Sequence, residues 1–373
     1  MAGPEGRPLR IFLSGITLEW CRSCGLACVR LDHGECVDSP ESGNTVLANT
    51  SVCGSSFHLP AGWFPRLIAV ALAGLLVSAA CGQVFVMSRE QLIKYTAKSP
   101  YERFPDGRPK VPDALLEKFQ DMSSEEIGLS RSGFPNQFVD GLQVLHPDKK
   151  LIGRALTLQL MPVRSDISDV DAAEWRAAGN QRPRDHQNAI DLLQKGDVFV
   201  VDVGGSVASG GVIGDNLAYY ILKNAAGFVI DGAIRDLDGI SPLANLPGYY
   251  RGATPPAIHN VMVTGIDIPV RIGGVTVMPG DVVFGDKEGI SFIPPHLVQG
   301  IVDAAQVTHL HDDWTKMKFD EGKYKSTEIY SRPRDPALLK EYDDYLRRKL
   351  GPAYEEYMKN QPAQGPAQTP ARR

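Results

Sequence analysis

Two stretches of this 373-residue chain hold residue types whose spacing could do chemistry. The first is Gly204-Gly-Ser-Val-Ala-Ser-Gly-Gly-Val-Ile-Gly214, with five glycines in eleven residues. Glycine-rich backbone running into a helix lets N–H groups approach an anion at the helix N-terminus. No G-x-G-x-x-G register fits and no Gly-Lys-Ser/Thr follows, so the loop is neither a dinucleotide fingerprint nor a Walker loop. A flexible strand-to-helix turn is the plainer reading of the same residues. The second stretch is Ile230-Asp-Gly-Ala-Ile-Arg235-Asp236-Leu-Asp238. A cation and an anion side by side after a buried strand suit a carboxylate substrate held on a metal. Asp236 would hold the metal and Arg235 would face the negative charge. A surface ion pair closing a turn would use the same two residues.

Other candidates carry less. All six cysteines lie at or before Cys81, so whatever folds downstream uses no disulfide and no thiolate metal site. The spacing Cys21-x2-Cys24-x3-Cys28 is similar to part of an iron–sulfur or zinc pattern, but no His or Cys pair completes it. His309-x-His311 falls on the polar end of a predicted helix and reads as solvated. His259, in the loop after Thr254-Pro-Pro, could border a site, because loops carry function. Lys223 and Lys287 are present, but neither sits beside the glycine loop in an evidently apolar pocket, as a Schiff-base lysine would.

The elements that position these residues follow from local pattern. Leu151–Leu160 alternates and predicts a strand, and Val198–Val203 is a β-branched run that predicts a buried one. The glycine loop then leads into a helix over Asp215–Asn224, followed by a strand over Phe228–Ile230. Val261–Ile266, Val270–Ile272, Val275–Met278, Val282–Phe284 and Ile290–Ile293 read as short strands, with Gly273-Gly274 as a hairpin turn. A helix is expected from His296 to about Asp312, a charged helical arm over 336–359, and a Pro/Gln/Ala tail after it. Hydrophobic residues at 43% suit a packed core, and a net charge of -5 gives no basic footprint for nucleic acid. Leu67–Cys81 is uncharged, follows Arg66 and closes on Ser78-Ala-Ala80, the shape of a secretory signal, with a signal anchor as the alternative. The expected organisation is an unstructured extension over 1–60, the signal or anchor over 61–82, a helical arm over 83–145, a catalytic core over 146–313, and a helical arm with a disordered tail over 314–373. The chain would be exported if the signal is used, and cytoplasmic if translation starts near Met87.

Gly214-Asp-Asn-Leu217, with Asp215 twenty residues before Arg235-Asp236, resembles the RraA-like family that includes 4-hydroxy-4-methyl-2-oxoglutarate aldolase. Gly153-Arg-Ala-Leu-Thr157, Gly196-Asp-Val-Phe-Val-Val-Asp202 and Val277-Met-Pro-Gly-Asp281 add to the resemblance, which covers about residues 111–310. It implies an α/β fold, a layered β/β/α (swivelling-domain-like) single catalytic domain, here with helical N- and C-terminal arms, forming homotrimers or homohexamers. It implies substrate binding by Gly214, Asp215, Asn216, Leu217 and Arg235, and a divalent cation, Mg2+ or Mn2+, on Asp236. Arg235 and Asp215 would carry the catalysis. The implied activity is that of a class II pyruvate aldolase or oxaloacetate decarboxylase acting on a short 2-oxo acid through a pyruvate enolate. A non-catalytic regulator of ribonuclease activity is the alternative within the same family. A methyltransferase would need a nucleoside-binding glycine motif, which is absent. Two departures stand out: the interval from Asp215 to Arg235 is one residue shorter than the family pattern, and an acidic residue expected three places after Asp236 falls at Gly239, beside Asp238.

Overall fold

The structure, a computed structural model, describes residues 11–13, 16–20, 27–31, 87–129 and 133–360. The chain divides into two compact units, Met1–Ala71 and Leu72–Arg373. In the first, β1 (Ile11–Leu13), β2 (Ile16–Trp20) and β3 (Ala27–Leu31) form an antiparallel sheet. This corrects the expectation of an extension without structure over 1–60. Ile16, Leu18 and Trp20 alternate with Thr17 and Glu19, the period that a strand uses. The signal or anchor expected at 61–82 and the tail after residue 360 lie outside the described residues.

The second unit begins with three short helices, α1 (Arg89–Tyr95), α2 (Asp113–Glu117) and α3 (Ser124–Ile127). Ser88 starts α1 with a capping box: Gln91 N donates to Ser88 Oγ at 3.2 Å, and Ser88 N donates to Gln91 Oε1 at 2.8 Å. Two strands of two residues follow, β4 (Phe138–Val139) and β5 (Gln143–Val144). The expected helical arm over 83–145 therefore ends in the sheet. Such short strands have no period of their own, and their partners define them.

From there the chain runs β6 (Leu151–Pro162), α4 (Ser165–Ala177), α5 (Gln187–Ile190), β7 (Asp197–Asp202), α6 (Asp215–Asn224), β8 (Gly227–Ile234), α7 (Leu237–Ile240) and β9 (Gly248–Ala253). β10 (Val261–Ile266), β11 (Val270–Ile272), β12 (Val275–Val277), β13 (Val282–Gly285) and β14 (Ile290–Ile293) complete the strands. Nine of the described strands form one mixed sheet in the order β4-β14-β13-β6-β7-β8-β9-β5, with β10 paired to the far end of β6. β6, β7, β8 and β9 are parallel neighbours, while β13, β14, β4, β5 and β10 join antiparallel. α4 and β9 were not legible in the sequence, and β8 runs four residues beyond the expected Ile230.

Period-two alternation divides the core into layers. Phe199 and Val201 of β7 and Phe228 and Ile230 of β8 pack with Ala218 and Ile221 of α6. Val198, Val200 and Val229 face the other way, onto Ile272, Val275 and Val277 of the β11–β12 hairpin. Hairpin, sheet and helix thus make a β/β/α sandwich, as expected. Each large apolar side chain so buried contributes roughly 1.5–3 kcal/mol.

Helix α8 (Val298–Asp320) runs eight residues past the expected Asp312. Its first half, through Val298, Ile301, Val302 and Ala305, packs on β13, β14 and the N-terminal helices. Its second half carries Trp314 into a separate cluster with Ile329, Leu338, Tyr342, Leu346 and Tyr354. These come from α9 (Ser326–Ile329), α10 (Pro336–Leu350) and α11 (Ala353–Asn360). α10 starts where Asp335 Oδ1 accepts from Ala337 N and Leu338 N at 3.0 and 2.9 Å, with Pro336 at its first position. No helix among the described residues is long and apolar enough to cross a membrane.

Candidate active site

Arg235 and Asp236 leave the C-terminal end of β8, between its last residue, Ile234, and the short helix α7. Arg235 Nη1 lies 3.5 Å from Asp236 Oδ2, and the two side chains are 39% and 38% exposed. Asp236 has φ 58° and ψ 45°, a left-handed conformation that is costly for a non-glycine residue. It is held there because its carbonyl accepts from Gly239 N and Ile240 N at 2.9 and 3.0 Å, while Arg235 N donates to Ile213 O at 2.9 Å. Backbone strain at a polar, accessible position is a recurrent mark of functional sites.

The glycine loop brings the start of α6 against this pair. A Cβ on Gly214 would collide with Asp236 Oδ2 and stand 3.2 Å from Arg235 Nε. Asp215, exposed in the first turn of α6, accepts from Asn216 N at 2.8 Å. Asn216 is also exposed, and Leu217 turns inward against the helix-side core. A Cβ on Gly239 would lie 2.7 Å from Cβ of Asp215. The place where the family pattern expects an acidic side chain is therefore occupied by the Asp215 side chain, arriving from α6. Gly214, Asp215, Arg235 and Asp236 come together as expected.

The loop differs from expectation in how its amides are used. Gly204 N donates to Asp202 Oδ1 at 2.7 Å, Gly205 N to Asp231 O at 3.0 Å, Ser209 N to Ser206 Oγ at 3.2 Å, Gly211 N to Pro256 O at 2.9 Å and Val212 N to Ala233 O at 2.9 Å. These donors are spent inside the fold. The amides suited to an anion are those of the first turn of α6, which no helix satisfies internally.

Sequence reasoning missed the side chains that hold the loop. Asp202, at the end of β7, accepts from Gly204 N and, through Oδ2, from Arg271 N at 3.2 Å. Asp231, 2% exposed within β8, takes Arg251 Nε on Oδ1 and Gly273 N on Oδ2 at 2.7 Å. The signal was present: a carboxylate inside a buried β-branched run must have a partner.

His259 lies beside the glycine loop, its backbone N–H donating to Ser209 O at 2.9 Å, while its ring Nδ1 lies 2.9 Å from Ala257 O. The reading of His309-x-His311 as solvated is corrected. His309 Nε2 pairs with Glu126, and His311 bridges Tyr342 Oη at 3.1 Å and Tyr330 O at 3.0 Å. Successive alternate residues of α8 thus reach different neighbours, which the helix pattern alone could not show.

Among the described residues no group of three or more His, Cys, Asp or Glu side chains forms a metal cage. Asp236 is a hard oxygen donor whose side chain is partly open to solvent, and this fits a cation that retains most of its water.

The RraA-like family model, described as Aldolase/RraA, matches residues 114–291. A protein of Halalkalibacterium halodurans named "Putative 4-hydroxy-4-methyl-2-oxoglutarate aldolase" is 34% identical over 123 residues, 32% of this chain and 56% of its own length. The match thus spans little more than half of that relative. One of Alcanivorax borkumensis with the same name is 34% identical over 120 residues, 32% of this chain and 72% of its own length. A solved structure of Streptomyces coelicolor RraAS2, titled an unusual member of the RNase ES inhibitor RraA protein family, is 30% identical with a TM-score of 0.48, covering 58% of this chain and all of that one. With a third of residues shared across more than two thirds of a relative, this chain belongs to the RraA-like family.

Proposed function

We propose that this protein is a divalent-metal-dependent lyase that cleaves a short 2-oxo acid through a pyruvate enolate. The substrate would be like 4-hydroxy-4-methyl-2-oxoglutarate, opened by retro-aldol cleavage, or oxaloacetate, opened by decarboxylation. The observation that carries the reading is the Arg235–Asp236 pair, held in a strained turn against the start of α6. Asp236 would hold Mg2+ or Mn2+, both of which accept oxygen ligands. Bound there, such a cation supplies Lewis acidity toward the keto oxygen.

The chain's own groups do the rest. Arg235 binds the substrate carboxylate through its planar fork and faces the negative charge that grows as the carbon–carbon bond breaks. The first-turn amides of α6 orient the same anion. In the retro-aldol reaction Asp215 takes the hydroxyl proton, directly or through one water, and the carbon–carbon bonding pair passes to the departing pyruvate carbon. Return of a proton to that carbon gives pyruvate.

The test is to incubate the full chain with Mg2+ and a panel of 2-oxo acids and follow pyruvate, with and without chelator. Chelator-sensitive release supports the reading. No release from any 2-oxo acid leaves the ribonuclease-regulator alternative. Because the pair is more than a third exposed on one chain, the proposal includes self-association as trimer or hexamer. It also includes export wherever residues 61–82 act as a signal.

A further inference from the structure

We infer that Asp231 and Arg251 are positioning residues for Arg235 and Asp236, acting through the glycine loop and a break in the β8 ladder. The inference rests on the reading of Arg235 and Asp236 as the substrate and metal site. Asp231 stands four residues before Arg235 in β8. Its Oδ1 holds Arg251 Nε of β9, and its Oδ2 holds Gly273 N at the tip of the β11–β12 hairpin. Its carbonyl accepts from Val203 N at 3.3 Å and Gly205 N at 3.0 Å. One buried residue therefore ties four segments: the end of β7, the start of the loop, β9 and the hairpin.

The position of this tie matters. The β8–β9 register pairs Ile230 with Tyr250 and next Ala233 with Gly252, so β8 advances three residues while β9 advances two. The extra residue is accommodated at Asp231-Gly232, and such breaks re-aim the strand that follows them. A Cβ on Gly232 would lie 2.7 Å from Val203 Cγ2, so the loop rests directly on the break. The returning arm of the loop then bonds β8 beyond it: Val212 N donates to Ala233 O, and Arg235 N donates to Ile213 O, both at 2.9 Å. The outgoing arm of the loop is fixed by Asp231, and the returning arm fixes Arg235. Arg251 neutralises an otherwise buried carboxylate, with its side chain 31% exposed against 3% for that of Asp231. Loss of that cation leaves Asp231 free to seek water and loosens both arms.

The experiment uses the full chain and the variants Arg251→Ala, Arg251→Lys and Asp231→Asn. Three quantities are measured: Tm, the kcat and KM for pyruvate release with Mg2+, and the calorimetric affinity for oxalate with Mg2+, oxalate being a planar mimic of the pyruvate enolate. Arg251→Ala should raise KM and weaken oxalate by about 10- to 100-fold, as expected for a displaced binding group. Its kcat should fall less. Arg251→Lys should recover part of the oxalate affinity, since an ammonium restores the charge but not the fork. A lowered Tm with unchanged KM and oxalate affinity would overturn the inference, because that is what a purely structural pair does. If Arg251→Ala does not fold, Arg251→Lys and Asp231→Asn decide by the same readouts. A wild type that turns over substrate and binds oxalate, with variants that match it, sinks the positioning role alone. A wild type that does neither sinks the proposed function and this inference with it.

Discussion

Asp236 keeps a backbone conformation that costs an L-residue about 1–2 kcal/mol. That cost makes sense if the carboxylate is wanted in one place, and Gly214 provides the space for it. Gly214→Ala should separate function from stability. The obstructing atom is the end of a rotatable side chain, so the fold should lose no more than about 1 kcal/mol. Turnover, however, should fall at least about tenfold as the carboxylate is displaced. Thermal melts and pyruvate release on one preparation check both halves. The two charges should also separate: Asp236→Ala should lose activity with weakened Mg2+ binding, while Arg235→Ala should lose activity with metal binding retained. Removing one such donor costs roughly 10²–10³ in turnover. Full activity in Asp236→Ala would end the metal reading. A different carboxylate sets a pH response. Asp281 is 3% exposed, accepts from Met278 N at 2.8 Å, and is pushed by burial up to about 7. Its folded value thus lies above the unfolded one near 3.9, so the folded state holds the proton longer. Stability from this group is full below about pH 4 and is lost as pH rises through about 7. Denaturation midpoints between pH 5 and 8 should fall in the wild type and fall less steeply in Asp281→Asn, where Asp267, also raised to about 7, keeps part of the slope.

At the scale of elements, the site is carried by a strand–loop–helix–strand unit whose parts were legible to different degrees. α6 matches its expected span of Asp215–Asn224, because a glycine-bounded amphipathic segment has little else to become. Buried β7 was legible from its β-branched run and the hairpin from Gly273-Gly274. The continuation of β8 was not, because Asp231-Gly232 looks like the end of a strand. It reads as strand only once Arg251, Gly273 and Gly205 are known to satisfy it. β9 was hidden for a similar reason: Gly248 and Gly252 weaken its local signal, and its neighbours β8 and β5 supply the pairing. In the candidate site, Arg235 and Asp236 were named from residue type and spacing, while the Gly214–Leu217 segment was named from the family resemblance. The supporting carboxylates were missed because their partners lie 20 to 69 residues away in sequence. The C-terminal helices were anticipated, but not the cluster they build around Trp314, which is fully buried with Tyr342 4.9 Å from it, centroid to centroid. Trp314→Ala should cost about 3–5 kcal/mol in that cluster. Limited proteolysis should then cut in 320–360 before it cuts in the sheet.

At the scale of the molecule, the segment before β6 is fastened to the sheet by charge. Arg108, 1% exposed, reaches Asp106 at 2.9 Å, Asp197 at 3.4 Å and Asp267 at 3.5 Å, and stacks on Phe104 at 4.8 Å. Arg154 of β6 joins the same group through Asp197 at 3.8 Å, and also holds Asp113 at 2.6 Å. Burial pushes Asp267 up to about 7 against the pull of Arg108. Arg108→Ala leaves buried Asp197 with Arg154 as its remaining cation and takes the cation from partly buried Asp267, and should cost about 3–5 kcal/mol, read from urea denaturation. Self-association belongs to this scale too: sedimentation at micromolar concentration should show a trimer or hexamer, and a stable, active monomer would refute it. One feature of the architecture has a thermodynamic reach of its own. α8 is a single 23-residue rod, about 35 Å long, with its first half seated on the sheet and its second half in the C-terminal cluster. A helix propagates order from turn to turn, so the two cores share one cooperative spine. Opening of the C-terminal cluster should therefore be felt as a gradient of amide exchange along α8, slowest near Ile301 and fastest beyond Trp314, rather than as a sharp boundary between two separately melting bodies.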